Sequence, residues 1–414
     1  MEAATSLATL NQVWKDERHR LRKSCFGVNR ISGKVFEKSL PRELREIRHR
    51  TSANFKADGL LAIAKPKISG GNRIICVPTI ADRLIQFSLL NQLRPRLKAM
   101  KLDNPVSYGI APRVQRSVVD ARKFACKARQ EHPWVYKADI HQFFDNLDRE
   151  LLRRAIEHRV RLQSLIPLLL VYLDCEITDG LDRDWRRKVS SAGLRPGLGV
   201  RQGMPLSPFF AGVYLWRVDE ILATSGAPVA RYVDDIVAFF DTEEECHSFH
   251  AVLKNSLSTI GLQIGEAGAK DSKTCIYSPE EPAAFLGMEI TKDARGRYRL
   301  IVPERVMEVI RNRFSEAASS AVLLEHNVHL TSMRGYFDSL TCGYHNAYKG
   351  AENADDLRDM LTTLSGTTQQ SVLHTLFGDR LADLTSVELR FAGVDPTIFL
   401  GGTRSATARS KRLR

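Results

Sequence analysis

Hydrophobic and polar positions alternate with two different periods along the chain. From Leu7 to Arg50 the spacing is helical and the polar positions are highly charged, and Pro41 followed by Glu43 indicates a helix start. Two strand-like runs, LLAIAK and RIICVP, follow and are joined by the turn-rich KISGGN, which predicts a β-hairpin. Helical spacing then returns in ADRLIQFSLLNQLRPRL.

The middle of the chain alternates strands and helices. Strand patterns occur in WVYKADI, VARYV, IVAFF and FLGMEI. Helical spacing occurs in DRELLRRAIEHRV, MPLSPFFAGVYLWRVDEIL and TEEECHSFHAVLKNSLSTIGL, the last ending at Gly261. From about Val302 onward the spacing is helical. The pattern therefore predicts an α/β centre followed by a helical C-terminal domain.

Length and composition are those of a globular chain. Its 414 residues, 43% of them hydrophobic, are enough for two or three domains and a core. No apolar stretch approaches the roughly 20 residues of a membrane span, and the charged N-terminus does not fit a secretory signal, so a cytoplasmic location is expected. The seven cysteines lie far apart without a CxxC pair, which predicts neither a zinc ribbon nor a disulfide framework.

The charge balance favours a polyanionic partner. Lys plus Arg number 61 against 48 Asp plus Glu, which gives a net charge of +13. Many basic proteins only have solvated basic surfaces, so this excess alone does not identify nucleic acid as the partner. The segment 404–414, RSATARSKRLR, has five basic residues and no acidic one, and it predicts a basic, disordered tail.

Two adjacent carboxylates, Asp234 and Asp235, occupy the turn between VARYV and IVAFF. Asp is common in solvated turns, but two like charges in a partly buried turn imply a metal ion or a shifted pKa. A third carboxylate, Asp139, ends the strand WVYKADI. If this strand lies beside the hairpin, Asp139 and Asp234 can bind the same hard cations. Two Mg²⁺ ions activate a 3′-hydroxyl and stabilise the leaving pyrophosphate in nucleotidyl transfer.

The motif Tyr232-Val233-Asp234-Asp235 resembles the YxDD box of reverse transcriptases, and five further segments resemble blocks of that family in the same order. These are IAKPKISGGNRIICVPTIADRLIQ, KADIHQFFDNLDRELL, GVRQGMPLSPFFAGVYL, KDSKTCIYS and FLGMEI. Together they span residues 63–290 and resemble bacterial reverse transcriptases of group II introns, retrons and phage-defence systems, most of all a stand-alone defence-associated enzyme.

The resemblance implies an α/β (α+β) fold, a right-hand polymerase with fingers, palm and an all-helical C-terminal thumb. The implied boundaries are 1–50 for a helical N-terminal extension, 51–134 for fingers, 135–295 for a palm with the YVDD hairpin, 296–403 for a helical thumb and 404–414 for a basic tail.

The family's metal ligands map onto the three aspartates. Asp139 and Asp234 are implied to carry two Mg²⁺ ions, with Mn²⁺ as a substitute, and Asp235 supports them from the same turn. The backbone carbonyl of Ile140 is a further candidate ligand. Lys273 is implied to protonate the departing pyrophosphate as a general acid, and Lys270, three residues away, competes for that role.

Phe144 is the candidate steric gate that excludes a 2′-hydroxyl and so selects deoxynucleotides. Strand alternation would place Asp139 and Phe144 on opposite faces, so this role requires the strand to end near residues 141–143. Phe143 is the competing gate, and a plain core phenylalanine is the structural alternative.

Four further positions, with Tyr232 of the box, are implied to bind the incoming deoxynucleotide (dNTP). Lys65 and Arg73 lie on the two arms of the predicted hairpin and can neutralise the triphosphate. Gln202 and Gly203 fit a turn that approaches the nucleotide or template base, because glycine allows a close backbone approach. A solvated basic surface and a plain helix-start loop are the alternatives.

The implied function is an RNA-directed DNA polymerase that makes cDNA from a structured, specific non-coding RNA template on a DNA or RNA primer, in bacterial antiviral defence. One alternative is template-independent or protein-primed DNA synthesis. The other is an RNA-binding, maturase-like scaffold. The oligomeric state stays open.

Overall fold

A computed structural model of the chain describes residues 2–52, 54–66, 72–110, 116–178, 187, 189–269, 272–326, 328–378 and 385–391. The chain forms two compact units, Met1–Pro279 and Glu280–Arg414. Lys270 and the predicted tail 404–414 lie outside the described residues.

The first unit begins with four helices, Glu2–Thr5, Leu7–Lys23, Gly33–Lys38 and Leu40–Ser52. Serine side chains cap two of them, because the Ser6 hydroxyl accepts from the amide of Thr9 and the Ser32 hydroxyl from that of Val35. The buried stripe of the second helix includes Trp14, whose ring centroid lies 5.2 Å from that of Phe36. Helical spacing and caps thus produce the amphipathic layer that the sequence predicts.

The predicted hairpin consists of β1 (Leu61–Pro66) and β2 (Asn72–Val77), which pair antiparallel. Thr79 then caps the helix Ile80–Leu93 by accepting from the amide of Asp82. This helix is buried nearly all round, since all but two of its residues are buried. It therefore forms part of the core of the first unit rather than a surface layer.

A five-stranded sheet lies at the centre of the first unit, in the order β3-β5-β6-β4-β7. The strands are β3 (Ser107–Tyr108), β4 (Trp134–Asp139), β5 (Val229–Tyr232), β6 (Asp235–Phe240) and β7 (Cys275–Tyr277). β3 runs parallel to β5, and the other neighbours are antiparallel. The four residues 236–239 of β6 are all buried, so this strand is covered on both faces.

Helices surround this sheet. Val118–Glu131 and Glu243–Ser258 contact its strands, and both begin with a capping box. Further helices in the described part of this unit are Arg149–Arg159, Ile166–Leu173, Ser207–Tyr214 and Trp216–Ala223. The prediction of one helix over MPLSPFFAGVYLWRVDEIL is wrong, because the helix breaks at Leu215 and restarts. The apolar spacing continues through the break and so did not reveal it.

The second unit starts with a three-stranded antiparallel sheet, in the order β10-β9-β8. Its strands are β8 (Ala283–Phe285), β9 (Met288–Lys292) and β10 (Tyr298–Ile301). A single strand over FLGMEI is therefore wrong, since Leu286 and Gly287 form a two-residue turn with φ of 49° and 80°. β10 lies before Val302, where the helical spacing begins, but inside residues 296–403, the segment expected to be a helical thumb. Its buried Tyr298 and Leu300 alternate with more exposed residues, as in a strand.

The helices described in the second unit follow this sheet. They are Glu304–Glu316, Ser320–Glu325, Leu330–Tyr348, Ala354–Phe377 and Ser386–Phe391. The predicted mixed fold with a helical C-terminal region is confirmed. Among the described residues, no helix is both long and apolar enough to cross a membrane.

Candidate active site

The sheet brings the three predicted aspartates together. Asp139, the last residue of β4, lies opposite Asp235, the first residue of β6. Tyr232 pairs with Asp235 across the β5–β6 hairpin, so Val233 and Asp234 form a two-residue turn. The amide of Ile140 donates to the Asp234 carbonyl at 3.2 Å and joins this turn to the end of β4. The three aspartates therefore lie at the same edge of the sheet.

Asp139 is close enough to Asp234 for its charge to act on the Asp234 carboxyl. The pKa of Asp234 is raised, first by burial and then by the negative charge of Asp139. Lys273 and Arg73 act in the opposite direction and favour the ionised form. A divalent cation at this edge would relieve the same repulsion, so the electrostatics fit a cation site.

Lys273 is the counter-ion of Asp139. Its Nζ lies 3.1 Å from Oδ1 and 3.2 Å from Oδ2 of that carboxylate. The lysine side chain is 69% exposed and the aspartate 26% exposed, so the ammonium can exchange one anion for another at low cost. This contact shows that both oxygens of Asp139 are accessible to a cation.

Asp235 has a different partner. Its Oδ1 lies 3.9 Å from Nζ of Lys137, and both side chains are 20% exposed. Lys137 lies two residues before Asp139 on β4, and so on the same face of the sheet. The sequence motifs did not single out Lys137, although a charged residue within an apolar strand was a visible signal.

The donor set suits a hard cation. In the described part of the chain, no three His, Cys, Asp or Glu side chains converge as a metal cluster. Mg²⁺ commonly binds through one or two carboxylates and completes its octahedron with water and substrate phosphates. The oxygens of Asp139 and Asp234 fit such an ion. Ile140 is buried beside them, directly after β4.

The two adjacent phenylalanines are exposed to different degrees. β4 ends at Asp139, and the chain turns through Gln142, which has a φ of 45°, into the short helix Phe143–Asn146. Phe143 is 2% exposed within the core, whereas Phe144 is half-buried. Their rings meet edge-on with centroids 5.2 Å apart. The early strand end is the condition that the Phe144 gate requires.

The loop that carries Gln202 and Gly203 lies against β2. The Cys76 amide donates to the Gln202 carbonyl at 2.6 Å. Gly203 has a φ of +108°, and a Cβ there would lie 2.7 Å from the Cys76 carbonyl oxygen. The glycine is therefore required both by its backbone conformation and by this close approach.

Lys65 and Arg73 are paired across β1 and β2, and both are exposed. The charge of Arg73 lowers the pKa of Asp234, so this arginine reaches the electrostatic field of the carboxylate edge. The ring of Tyr232 packs over Gly109. A Cβ at that glycine would lie 2.9 Å from the ring. Burial raises the pKa of the Tyr232 phenol.

One buried arginine was missed by the sequence motifs. Arg231 is fully buried in β5 and pairs with Asp219, which is also fully buried. Its position directly before the YVDD box in an otherwise apolar strand was the only available signal, since Asp219 lies on a separate helix.

Comparison with known proteins identifies the family. Residues 63–290 match the model of the reverse transcriptase (RNA-dependent DNA polymerase) family. The chain is 24% identical over 209 residues to protein YkfC of Escherichia coli K12, covering 47% of this chain and 49% of YkfC. It is 29% identical over 160 residues to the group II intron-encoded protein LtrA of Lactococcus lactis subsp. cremoris, covering 39% of this chain and 24% of LtrA.

The chain thus spans about half of one relative and about a quarter of the other. The family match, in contrast, covers more than half of the chain and includes every residue assembled at the carboxylate edge. The chain therefore belongs to the reverse transcriptase (RNA-dependent DNA polymerase) family.

Proposed function

We propose that this protein is an RNA-directed DNA polymerase that extends a primer by nucleotidyl transfer with divalent metal ions. The observation that carries the proposal is the meeting of Asp139 and Asp234 at one sheet edge, where the charge of one raises the pKa of the other. Such a pair attracts hard cations and is costly without them. The family match and the basic net charge of +13 support it.

The reaction forms a bond from the primer 3′-oxygen to the α-phosphorus of the nucleotide and breaks the α–β phosphoanhydride. Asp139 and Asp234 would hold Mg²⁺ or Mn²⁺, which when bound activates the hydroxyl and neutralises the leaving pyrophosphate. Asp235 and Lys137 hold the start of β6 beside this pair. Arg73 and Lys65, which face each other across β1 and β2, are proposed to neutralise the triphosphate.

Lys273 is proposed to give a proton to the departing pyrophosphate. Its observed partner is Asp139, so this role requires the ammonium to move from the carboxylate to a phosphate oxygen. The high exposure of the lysine permits that exchange. Phe144 is proposed as the sugar gate, and Gln202, Gly203 and Tyr232 as the surroundings of the nucleotide. A structured RNA template and a role in antiviral defence stay predictions that rest on sequence resemblance.

Primer extension with carboxamide variants tests the proposal. Asp139→Asn and Asp234→Asn should each lower the extension rate by at least about 10³-fold, since each removes a charge needed only when the ions and the transition state bind. Asp241→Asn is the control, because this carboxylate is 64% exposed and follows the far end of β6. An active double Asn variant overturns the assignment.

Template dependence is tested by supplying each deoxynucleotide separately with RNA templates of defined sequence. Incorporation that follows the template supports RNA-directed synthesis. Product that forms without template, or that stays attached to the protein, contradicts RNA-directed synthesis and supports untemplated or protein-primed synthesis. Full RNA binding without any nucleotide incorporation contradicts polymerase activity and supports an RNA-binding scaffold.

A further inference from the structure

A buried ion pair lies directly behind the catalytic turn. Arg231 of β5 donates through Nε to Oδ1 of Asp219 and through Nη2 to Oδ2, each at 2.5 Å. Both side chains are 1% exposed. The bidentate geometry is that of an arginine–carboxylate pair, which a lysine does not reproduce.

The same guanidinium reaches the turn itself. Its Nη1 donates to the Val233 carbonyl at 2.8 Å, and its Nη2 also donates to the Ser107 hydroxyl at 2.8 Å. Arg231 thus connects the helix Trp216–Ala223, strand β3 and the turn of the YVDD box. Asp234 is the next residue after the carbonyl that Arg231 holds.

Asp219 is itself fixed from another direction. The Asn104 amide donates to its Oδ2 at 3.2 Å, and the Asn104 side-chain oxygen accepts from the backbone amides of Val106 and Ser107 at 3.0 and 2.8 Å. Asn104 therefore joins the network to the backbone of the segment that leads into β3. A movement of the turn would have to break charge-assisted hydrogen bonds inside the core.

The turn needs such support because its backbone is strained. Val233 has a φ of 59°, in the left-handed region that a β-branched residue avoids. A conformation of this kind persists where the surroundings over-determine it. Here the Val233 carbonyl accepts from Arg231, and the following carbonyl, of Asp234, accepts from the amide of Ile140. The turn is held from both sides.

Stability alone does not explain this pair. Burying two charges costs desolvation, and well-packed apolar residues of similar volume are often equally stable or better. A guanidinium is required only if two carboxylate oxygens, a hydroxyl and a backbone carbonyl must be bound together in one plane.

We propose that Arg231 and Asp219 are positioning residues that fix the catalytic turn and so set the location of the Asp234 carboxylate. The inference rests on the proposed role of Asp234 in nucleotidyl transfer. Neither Arg231 nor Asp219 touches substrate; they act through the backbone of Val233.

The test compares Arg231→Lys and Asp219→Asn with Arg129→Lys in the full chain. Arg129 is also a fully buried arginine, but it donates to the carbonyls of Pro133 and Ser278, at the end of β4 and β7 away from Asp139. The first two variants should lower kcat for primer extension by about 10- to 100-fold and change KM for the nucleotide by less than about threefold. Arg129→Lys should keep the wild-type kcat.

Hydrogen–deuterium exchange of the protein alone gives a second readout. Backbone amides of residues 229–240 should exchange faster in Arg231→Lys than in the wild type, while Arg129→Lys leaves them unchanged. If Arg231→Lys does not fold, the apolar pair Arg231→Met with Asp219→Leu replaces it, since such a swap avoids an unpaired buried charge. A folded variant with wild-type kcat and exchange overturns the inference.

The outcome for Asp234→Asn separates this inference from the proposed function. If Asp234→Asn stays active, the proposed function fails and the positioning role fails with it. If Asp234→Asn is inactive while the Arg231 and Asp219 variants match the wild type, only the positioning role is overturned.

Discussion

The two phenylalanines after β4 differ in exposure, and that difference favours Phe144 as the proposed sugar gate. Phe143 is buried in the core, whereas Phe144 is half-buried with its ring edge against Phe143. We predict that Phe144→Ala lowers the preference for a deoxynucleotide over its ribonucleotide by about 10²-fold, the usual limit for excluding one hydroxyl by shape. The ratio of kcat/KM for dCTP and CTP measures it.

Phe143→Leu is the matched control for that prediction. It should keep the nucleotide preference and lower the free energy of unfolding by about 1–2 kcal/mol, because it leaves a small void in the core. If the Leu variant loses the preference and the Ala variant keeps it, Phe143 is the gate instead.

Asp82 makes stability depend on pH. It accepts hydrogen bonds from the Thr79 hydroxyl at 2.7 Å and the Tyr172 hydroxyl at 3.1 Å. Burial, with a further contribution from the charge of Asp58, raises the pKa of Asp82 from 3.8 to about 6. The folded state therefore holds this proton more tightly than the unfolded state does. The resulting stability is complete below pH 3.8 and is lost as the pH rises through about 6.

We predict that the wild type loses about 2 kcal/mol of stability relative to Asp82→Asn between pH 4.5 and 7.5, because the Asn variant cannot ionise. Urea unfolding followed by tryptophan fluorescence at both pH values measures the difference. Asp103→Asn, at an exposed carboxylate, should follow the wild type. Parallel curves for the wild type and Asp82→Asn contradict the prediction.

The sequence predicted that Asp139 and Asp234 share one edge, because motif order and strand pattern both place them at strand ends. It did not predict the pairing of Lys273 with Asp139, since that contact depends on β7 lying beside β4. The pairing of Arg231 with Asp219 was hidden for the same reason. Side-chain partners across elements follow from strand order and helix packing, which local periodicity does not contain.

The loop before the helix Ser207–Tyr214 contacts the backbone of Phe144, the proposed gate. Gly199 has a φ of +76°, its amide donates to the Leu147 carbonyl at 2.9 Å, and the amide of Val200 donates to the Phe144 carbonyl at 2.7 Å. A Cβ on Gly199 would lie 2.6 Å from the Phe144 carbonyl oxygen. Any side chain there must displace the backbone that carries the proposed gate.

We predict that Gly199→Ala lowers the free energy of unfolding by about 2–4 kcal/mol, from the left-handed backbone plus the clash, and also lowers kcat. Gly193→Ala is a closely matched control, since Gly193 has the same φ of +76° and nothing within 4 Å of its would-be Cβ. It should cost only about 1 kcal/mol and leave kcat unchanged. Equal losses in the two variants contradict a specific contact at Gly199.

Element boundaries show where periodicity stops being informative. The break at Leu215 and the turn at Leu286 both fall within apolar runs, so the hydrophobic pattern continues across them. Gly287 was the one residue of that turn whose type favours a positive φ. The short strand β10 was hidden because four alternating residues are too few to distinguish from a helix start.

The net charge of the protein is +13, whereas at the carboxylate edge three basic side chains, Lys137, Lys273 and Arg73, offset the charge of the three aspartates. The positive charge must therefore act mainly elsewhere, where it can neutralise phosphates of a template and primer. Binding and catalysis are then separable properties. Substitutions at the carboxylates should stop synthesis without weakening the hold on nucleic acid.

We predict that the double variant Asp139→Asn with Asp234→Asn binds an RNA–DNA primer–template at least as tightly as the wild type, because it removes two negative charges near the phosphates. For both proteins the logarithm of the association constant should fall linearly with the logarithm of salt concentration. An enzyme that neutralises about six phosphates loses about 10³-fold in affinity between 50 and 200 mM salt.

Fluorescence anisotropy of a labelled duplex measures the slope, and thermal unfolding over the same salt range is the control for an intact fold. A flat slope would show that the basic surface does not contact the backbone of the nucleic acid, and a loss of binding in the double variant would place these carboxylates in binding rather than in chemistry.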